Sequence, residues 1–145
     1  MDMKKLSIQV QKLHEAAKIP EFAHDSDAGM DLCGTESVTL APGAYMAIPT
    51  GLAMAIPEGH VGLIWDKSGN AIKRGLKVLG GVVDAGYRGE IKVGIINHGT
   101  ESHTFDVGDK VAQMLLQEVH HADFEEVESL DETARGEGGF GSTGK

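Results

Sequence analysis

Asp84 is the residue whose type and surroundings best suit catalysis in this sequence. It lies in the segment Gly80-Gly-Val-Val-Asp-Ala-Gly-Tyr-Arg-Gly-Glu-Ile91, with apolar runs on both sides, which predicts a β-hairpin with Asp84 and Tyr87 near its tip. A carboxylate held on a rigid hairpin can orient and deprotonate a water molecule, and Tyr87 beside it could pack against a sugar ring. Asp and Gly also form such turns for conformational reasons alone, so these residues leave both explanations open.

Three shorter segments carry polar groups that suit an anion or a metal. Lys67-Ser-Gly69 follows an apolar run and precedes a short helix, which favours anion binding, although Ser68 could simply cap the helix. Asp31 could bind a metal through an oxygen or a water molecule, or could be an ordinary turn or strand-edge residue. Gln113 is polar within the apolar run 111–116, so it needs a protein or ligand partner if it is buried.

The glycine-rich end of the sequence, Arg135-Gly-Glu-Gly-Gly-Phe-Gly-Ser-Thr-Gly144, contains groups that suit a nucleotide. Glycine reaches positive φ without a Cβ clash, so this backbone could wrap closely round a ligand. Arg135 suits a phosphate, Ser142 and Thr143 supply hydroxyl donors, and Phe140 could cover a flat ring. The alternative is a disordered tail. Two generic phosphate-binding glycine motifs also fit the letters, but both require a following helix, which we do not expect at this end.

Short apolar runs separated by Gly and Pro turns dominate the rest of the sequence. Their regular spacing predicts an all-β domain, either a sandwich, a jelly roll or a barrel. The runs cover residues 6–10, 38–40, 45–48, 52–56, 61–65, 78–83, 90–96, 103–107 and 111–119. One short helix is predicted over residues 69–74, closed by Gly75. The β pattern ends near Asp131, so we expect a core domain over residues 1–130 and a flexible C-terminal arm over residues 131–145.

Composition limits the classes of partner. The chain of 145 residues has a formal net charge of −9, which argues against binding of long nucleic acid, because that requires a basic surface. A small phosphorylated ligand stays possible, since a few lysines and arginines or a divalent metal can balance its charge. No apolar run approaches the roughly 20 residues that span a bilayer, and the N-terminal residues lack the apolar region of a signal peptide. Cys33 is the single cysteine, so we expect a reducing, cytoplasmic location, in the host cell if the source is viral.

Taken in order, these segments resemble the five motifs of the trimeric dUTP diphosphatases (dUTPases). Ala28-Gly-Met-Asp-Leu32 resembles motif one, Lys67-Ser-Gly69 motif two and Val111-Ala-Gln113 motif four. The segment from Gly81 to Ile91 is similar to motif three, and the segment from Arg135 to Gly144 is similar to motif five. Motifs three and five are the specific ones, and the resemblance spans about residue 5 to the end.

The resemblance implies an all-β fold, a distorted jelly roll with one short helix and a flexible arm that closes over the active site. It implies a homotrimer with active sites shared between subunits. The implied reaction is Mg²⁺-dependent hydrolysis of dUTP to dUMP and pyrophosphate, which limits uracil in DNA and supplies dUMP for thymidylate.

The resemblance also implies a role for each matching residue. Asp84 would activate the water that attacks the α-phosphorus, and Tyr87 would pack on the deoxyribose and leave no room for a ribose 2′-hydroxyl. The backbone around Val82, Val83 and Lys92 would read the uracil edge. The implied phosphate contacts are Lys67, Ser68, Gly69 and Gln113, and Asp31 would assist the metal through water. In the arm, Arg135, Ser142 and Thr143 would hold the γ-phosphate, Phe140 would stack on uracil, and Gly141 would be a further substrate-binding residue.

Motif two departs from the family pattern. The usual Pro-Arg-Ser-Gly is Asp66-Lys-Ser-Gly69 here, and Lys67 keeps the positive charge but loses the bidentate fork of arginine. Asn70 stands where a leucine often follows, and Val78 stands where many members have a uracil-reading asparagine. 

Two alternatives to a dUTPase follow from the same resemblance. A dCTP deaminase shares the fold, but deaminases of that family use a glutamate on the strand after the hairpin aspartate, and residues 91–96 contain none. The second alternative is a non-catalytic, dUTP-binding regulatory trimer.

Overall fold

The computed structural model describes residues 5–144, so the ends of the two predicted regions, residues 1–4 and Lys145, lie outside it. The described residues form eleven short strands and one helix. In chain order these are β1 Gln9–Lys12, β2 Met30–Cys33, β3 Val38–Leu40, β4 Tyr45–Pro49, β5 Leu52–Ala55, β6 His60–Trp65, α1 Ser68–Arg74, β7 Leu76–Leu79, β8 Val82–Val83, β9 Lys92–Asn97, β10 His103–Phe105 and β11 Lys110–Glu118. Within residues 5–144, no helix is long and apolar enough to cross a membrane.

Two main antiparallel sheets enclose one hydrophobic core. The first sheet has the strand order β2-β11-β6-β8 and the second has the order β4-β9-β7, while the pairs β1–β5 and β3–β10 form two smaller sheets. One cluster of buried apolar side chains contains Ile64 and Met114 from the first sheet and Val93 and Ile95 from the second. Side chains of β9 alternate between buried and more exposed positions, as expected when one face of a strand covers a core. The all-β prediction with one short helix is therefore confirmed, as a jelly-roll-like sandwich.

The helix lies almost where the sequence predicts it. It ends at Arg74, and Gly75 closes it in the left-handed conformation with φ of 69°. The predicted cap by Ser68 does not form, because Lys67 is the N-cap residue and Ser68 is already helical. Strand β2 is absent from the predicted runs because the charged Asp31 interrupts its apolar pattern, yet all four of its residues are buried.

The predicted hairpin around Asp84 is correct only at its base. β7 pairs with β9 in the second sheet, but residues 82–83 leave that sheet and pair, as β8, with β6 of the first sheet. The chain crosses between the sheets at Gly80-Gly81, where φ of Gly81 is +112° and a Cβ would lie 2.6 Å from the Ile64 carbonyl oxygen. A side chain would both strain the backbone and clash there, so this crossing requires glycine. Asp84 consequently lies on a loop that joins two sheets.

Asn97, at the end of β9, connects three separate backbone groups although it is fully buried. Its side-chain nitrogen donates to the carbonyl oxygens of Leu40 at 3.0 Å and Glu101 at 2.7 Å. Its side-chain oxygen accepts a hydrogen bond from the Gly99 N–H at 2.8 Å. The amide thus ties β3 to the turn that follows β9.

Asn97→Ala should lower the free energy of unfolding by about 2–4 kcal/mol, because three backbone groups lose their side-chain partner at a buried position. Urea denaturation measures this loss. Thr104→Ala is the control, since the Thr104 hydroxyl makes an exposed contact of 2.8 Å with Thr39, and it should cost no more than about 1 kcal/mol. Equal losses for the two variants would contradict the role assigned to Asn97.

Candidate functional site

A cavity of about 540 Å³ lies beside the loop between β8 and β9. We call it the loop cavity; its lining includes five of the predicted site residues, Val82, Val83, Asp84, Tyr87 and Lys92. Cavities of about 300–1,000 Å³ are usual for small-molecule ligands. The fold therefore brings the residues of the third motif-like segment into one site.

Two hydrogen bonds of Tyr87 shape this loop. The Tyr87 N–H donates to the Asp84 carbonyl oxygen at 3.1 Å, which closes a tight turn. The Tyr87 hydroxyl donates to the Glu90 carbonyl oxygen at 2.8 Å, so the ring is held at its far end as well. The ring is still 45% exposed, and the Asp84 side chain is exposed too. The loop therefore presents a fixed aromatic face and an accessible carboxylate side by side.

Strand β8 supplies backbone groups to the same cavity. It is the last strand of the first sheet and pairs with β6 on one side. Within residues 5–144 its other edge has no strand partner, so the backbone donors and acceptors on that edge can bind a ligand. The Val83 side chain is buried in the core, whereas Val82 is 68% exposed.

Asp31 forms the centre of a second group of candidate residues. The ammonium group of Lys67 donates to one carboxylate oxygen of Asp31, and that of Lys110 donates to the other at 2.9 Å. Burial alone would raise the pKa of Asp31, but the hydrogen bonds from Lys110 and Lys67 outweigh it and hold the pKa below its ordinary value. Since both oxygens are occupied, direct coordination of a cation by Asp31 would require displacement of a lysine.

A β-bulge places Lys110 on the same face of the sheet as Asp31. Residues three apart on a regular strand point to opposite faces, so Lys110 and Gln113 of β11 would not be expected to lie together. The register shifts between Lys110, which pairs with Cys33, and Ala112, which pairs with Leu32. This extra residue in β11 restores a common face, because Lys110 then opposes Cys33 while Gln113 opposes Asp31.

Gln113 has the protein partner that its half-buried position requires. Its side-chain nitrogen donates to the Asp66 carbonyl oxygen at 2.8 Å. Gly29 lies against this side chain, and a Cβ there would come within 2.2 Å of the Gln113 amide oxygen. A larger residue at position 29 would therefore displace the Gln113 amide.

Lys67, Ser68 and Gly69 lie where the turn after β6 leads into α1: Lys67 ends the turn, and Ser68 and Gly69 are the first residues of the helix. Lys67 has extended backbone angles, and the helix begins at Ser68. The first N–H groups of a helix lack partners within the helix, and no side chain of residues 5–144 caps this N-terminus. Ser68 and Gly69 are exposed, so their N–H groups can donate to an anion beside the Lys67 ammonium group. We call Asp31, Lys67–Gly69, Lys110 and Gln113 the Asp31 cluster.

The arm residues form a third group, apart from the other two. Phe140 is fully exposed with a positive φ of 50°, and Arg135, Gly141, Ser142 and Thr143 are exposed as well. The arm's hydrogen bonds within the described residues join groups three residues apart, such as the Arg135 side chain and the Gly138 carbonyl oxygen at 2.7 Å. In the single chain, the described arm residues do not line the loop cavity.

The sequence did not indicate Lys110 and Asp66, which the fold adds to the predicted residues. Counting alternate positions along β11 places Lys110 on the wrong face, because the bulge is not visible in the sequence. Asp66 was noted as a departure from the usual proline of motif two, and this departure was the available signal. Its carboxylate accepts hydrogen bonds from the Val78 N–H and from Lys77.

Comparison with known proteins identifies the family that this chain matches. Residues 15–144 match the family model described as dUTPase. A deoxyuridine 5′-triphosphate nucleotidohydrolase of Nocardia farcinica is 52% identical over 140 residues, which cover 94% of this chain and 85% of that protein.

Solved structures of phage enzymes share the fold. The dUTPase of Staphylococcus bacteriophage 80alpha with dUpNHpp is 30% identical, with a TM-score of 0.90 over 97% of this chain and 100% of that chain. A mutant dUTPase from phage phi11 of S. aureus is 30% identical, with a TM-score of 0.80 over 86% of this chain and 98% of that chain, and its structure concerns the coordination of a structural Mg(II) ion.

Asp31→Asn should reduce stability in a pH-dependent way. The pKa of Asp31 is lower in the folded chain, so its ionised form stabilises the fold above the unfolded value of about 3.9. This contribution is lost as the pH falls through the lower folded value. We expect Asp31→Asn to cost about 1 kcal/mol at pH 7, a modest value because both lysines are partly exposed.

Urea denaturation between pH 3 and pH 8 measures the difference between wild type and Asp31→Asn. That difference should be constant at neutral pH and shrink below about pH 4. Glu36→Gln, at an exposed position, is the matched control and should show neither effect. A difference that grows on acidification would contradict the ion-pair assignment.

Proposed function

The chain belongs to the dUTPase family, and we propose on this premise that it cleaves dUTP to dUMP and pyrophosphate by attack of water on the α-phosphate. The loop cavity is the observation that carries the proposal, because the accessible carboxylate of Asp84, the fixed ring of Tyr87 and the free edge of β8 meet there. These groups suit a water nucleophile, a deoxyribose and a pyrimidine edge. The phage 80alpha enzyme, which shares the fold, binds the dUTP analogue dUpNHpp.

Asp84 acts as the general base in this proposal. As the water oxygen forms its bond to the α-phosphorus, the bond from that phosphorus to the bridging oxygen breaks and pyrophosphate leaves. One proton of the water passes to the Asp84 carboxylate, whose exposure leaves room for the water beside it. General-base assistance of this kind is worth about 10²–10⁴ in rate.

The loop cavity selects the base and the sugar. The Tyr87 ring is fixed by its hydroxyl bond to the Glu90 carbonyl oxygen, so it cannot easily move aside for a ribose 2′-hydroxyl. The backbone of Val82, Val83 and Lys92 offers donors and acceptors to the uracil edge. Discrimination by paired hydrogen bonds is strong, because a wrong base leaves polar groups unpaired.

The Asp31 cluster binds the phosphates. Ser68 and Gly69 supply N–H groups at the start of α1, and Gln113 has a second amide hydrogen beyond the one that it donates to Asp66. Lys67 supplies positive charge and reaches the substrate by exchanging its contact with Asp31 for a phosphate oxygen.

Mg²⁺ fits this site as an ion held by the substrate, with the protein as an outer partner. Within residues 5–144 no three His, Cys, Asp or Glu side chains are grouped so as to hold a metal ion, and both oxygens of Asp31 are paired with lysines. Asp31 would therefore contact the ion through water. When bound, Mg²⁺ would neutralise charge on the triphosphate.

A homotrimer with shared active sites accounts for the separation of the three groups. The loop cavity and the Asp31 cluster have no residue in common, and no described arm residue lines the loop cavity. The exposed segment that leads to the arm carries large apolar side chains, Phe124 at 96% and Leu130 at 84% exposure, which suit packing against another copy of the chain. Each active site would then combine groups from different subunits.

We place the enzyme in the cytoplasm, because its single cysteine is a free, buried thiol.

The test of the function is incubation with dUTP, dCTP and UTP while pyrophosphate and ammonia are followed. Wild type should release pyrophosphate from dUTP and far less from UTP. Asp84→Asn should lower kcat by at least about 100-fold, because the general base is lost, while the Kd for dUpNHpp changes only a few-fold.

Three outcomes would contradict the proposal. Ammonia from dCTP would indicate a deaminase, and tight dUTP binding without pyrophosphate would indicate a regulatory trimer. Normal turnover by Asp84→Asn would show that Asp84 is not the base.

Deletion of residues 135–145 should abolish most turnover while the β-core stays folded. The arm would close over bound dUTP, ordering the phosphates and base and excluding bulk water. Steady-state kinetics measure the loss, and circular dichroism with thermal melting checks the fold. Phe140→Ala is a milder companion that should raise KM roughly tenfold, since stacking on a base is worth about 1–3 kcal/mol. Full activity of the truncated chain would refute this role of the arm.

A further inference from the structure

Asp66 lies in a short turn and accepts hydrogen bonds from three other residues. Its side chain is 18% exposed, and it lies between β6 and Lys67. One carboxylate oxygen accepts the Val78 N–H at 2.5 Å, and the other accepts the Lys77 ammonium group at 2.6 Å. Its carbonyl oxygen accepts the Gln113 side chain at 2.8 Å. One residue thus contacts a strand of the second sheet and a side chain of the first.

These contacts surround the part of the chain that binds phosphate in the proposed function. Lys67, Ser68 and Gly69 follow Asp66 directly, and Gln113 takes its orientation from the Asp66 carbonyl group. α1 has no buried residue that could hold this turn against the core. The Asp66 carboxylate therefore fixes the start of the turn to the backbone of β7, beside the contact that Lys67 makes with Asp31.

We propose that Asp66 is a positioning residue, which holds the phosphate-binding turn and the Gln113 amide in place through its hydrogen bond to the Val78 N–H. This inference rests on the proposed function and deepens it, because it gives a specific role to the residue that stands where motif two usually has a proline. A proline stiffens its own backbone, whereas Asp66 anchors the turn to a neighbouring strand. Asp66 does not line the loop cavity, which holds the nucleoside part in the proposed function, so its loss should weaken the binding of phosphates and spare the binding of the nucleoside part.

Lys77 offers a way to separate the hydrogen bond from the ion pair. Its ammonium group contacts Asp66 and also lies 5.9 Å from the centre of the Trp65 ring. The Lys77 side chain is 52% exposed, so its ion pair is screened by solvent and should contribute little. The Val78 N–H bond is partly buried and does not involve Lys77, so it should persist in a Lys77→Met variant.

The experiment compares four variants with wild type by calorimetric titration with dUpNHpp and Mg²⁺ and, separately, with dUMP. Asp66→Ala should raise the Kd for dUpNHpp at least about tenfold, the factor expected for loss of a hydrogen bond to a charged group, with the Kd for dUMP changed by less than about threefold. Asp66→Glu keeps the charge but shifts the carboxylate by one methylene group, so it should show the same split. Asp66→Asn retains an acceptor oxygen but loses the charge, so its Kd for dUpNHpp should rise by less than that of Asp66→Ala. Lys77→Met should bind nearly as wild type does.

Each outcome decides the proposal. Wild-type affinity for dUpNHpp in both Asp66→Ala and Asp66→Glu would overturn it. Equal losses for dUpNHpp and dUMP, with a lowered melting temperature, would show a merely structural role and also overturn it. If Asp66→Ala does not fold, Asp66→Glu and Asp66→Asn carry the comparison. If wild type itself binds no dUpNHpp, the proposed function is wrong and this inference is wrong with it. If wild type binds dUpNHpp and the Asp66 variants bind it equally well, only this inference is wrong.

Discussion

The crossing of the chain between its two main sheets at Gly80-Gly81 is the constraint on which the site depends. β7 belongs to one sheet and β8 to the other, and a side chain at Gly81 would meet the backbone of Ile64. Because of this crossing, β8 is an edge strand whose outer side has no strand partner among the described residues, and the loop that carries Asp84 spans two sheets. The strand before the crossing, β7, also lies beside the turn after β6, where the Asp66 carboxylate accepts a hydrogen bond from the Val78 N–H. In the proposed function, base recognition and catalysis would both depend on this change of sheet.

The Asp31 cluster lies in an acidic protein of formal net charge −9, and its own charge suits the triphosphate of the proposed function. Two lysines share one buried carboxylate at Asp31, so the cluster holds more positive than negative charge before any ligand arrives. The carboxylate keeps both lysines oriented and compensates part of their charge. A triphosphate with its metal could replace these internal contacts without leaving a buried charge unpaired, which is the condition that makes charged sites tolerable in proteins.

Much of this could be predicted from the sequence, and the failures have specific physical causes. Three features depend on local patterns and turn residues and could therefore be predicted from the sequence. They are the β character, the short helix closed by Gly75 and the grouping of Asp84 with Tyr87. Lys110 was missed because a bulge in β11 changes the face on which it lies. The hairpin was only partly right because the choice of partner for residues 82–83 depends on β6, which is distant in the chain. The absence of the usual proline singled out Asp66, but its contact with Val78 could not be predicted, because Val78 lies beyond α1 in the chain and belongs to the second sheet.

The sequence by itself determined the residue types and their order, from Asp31 to the glycine-rich arm, and this order indicated the dUTPase family that the comparisons then confirmed. Hydrophobic periodicity and glycine placement are patterns over a few residues, so they can be recognised in the sequence without a structure. Only the tertiary structure decided which of these residues meet. It separated them into the loop cavity, the Asp31 cluster and an exposed arm, because strand pairing, bulges and sheet crossings join residues that are far apart in the chain.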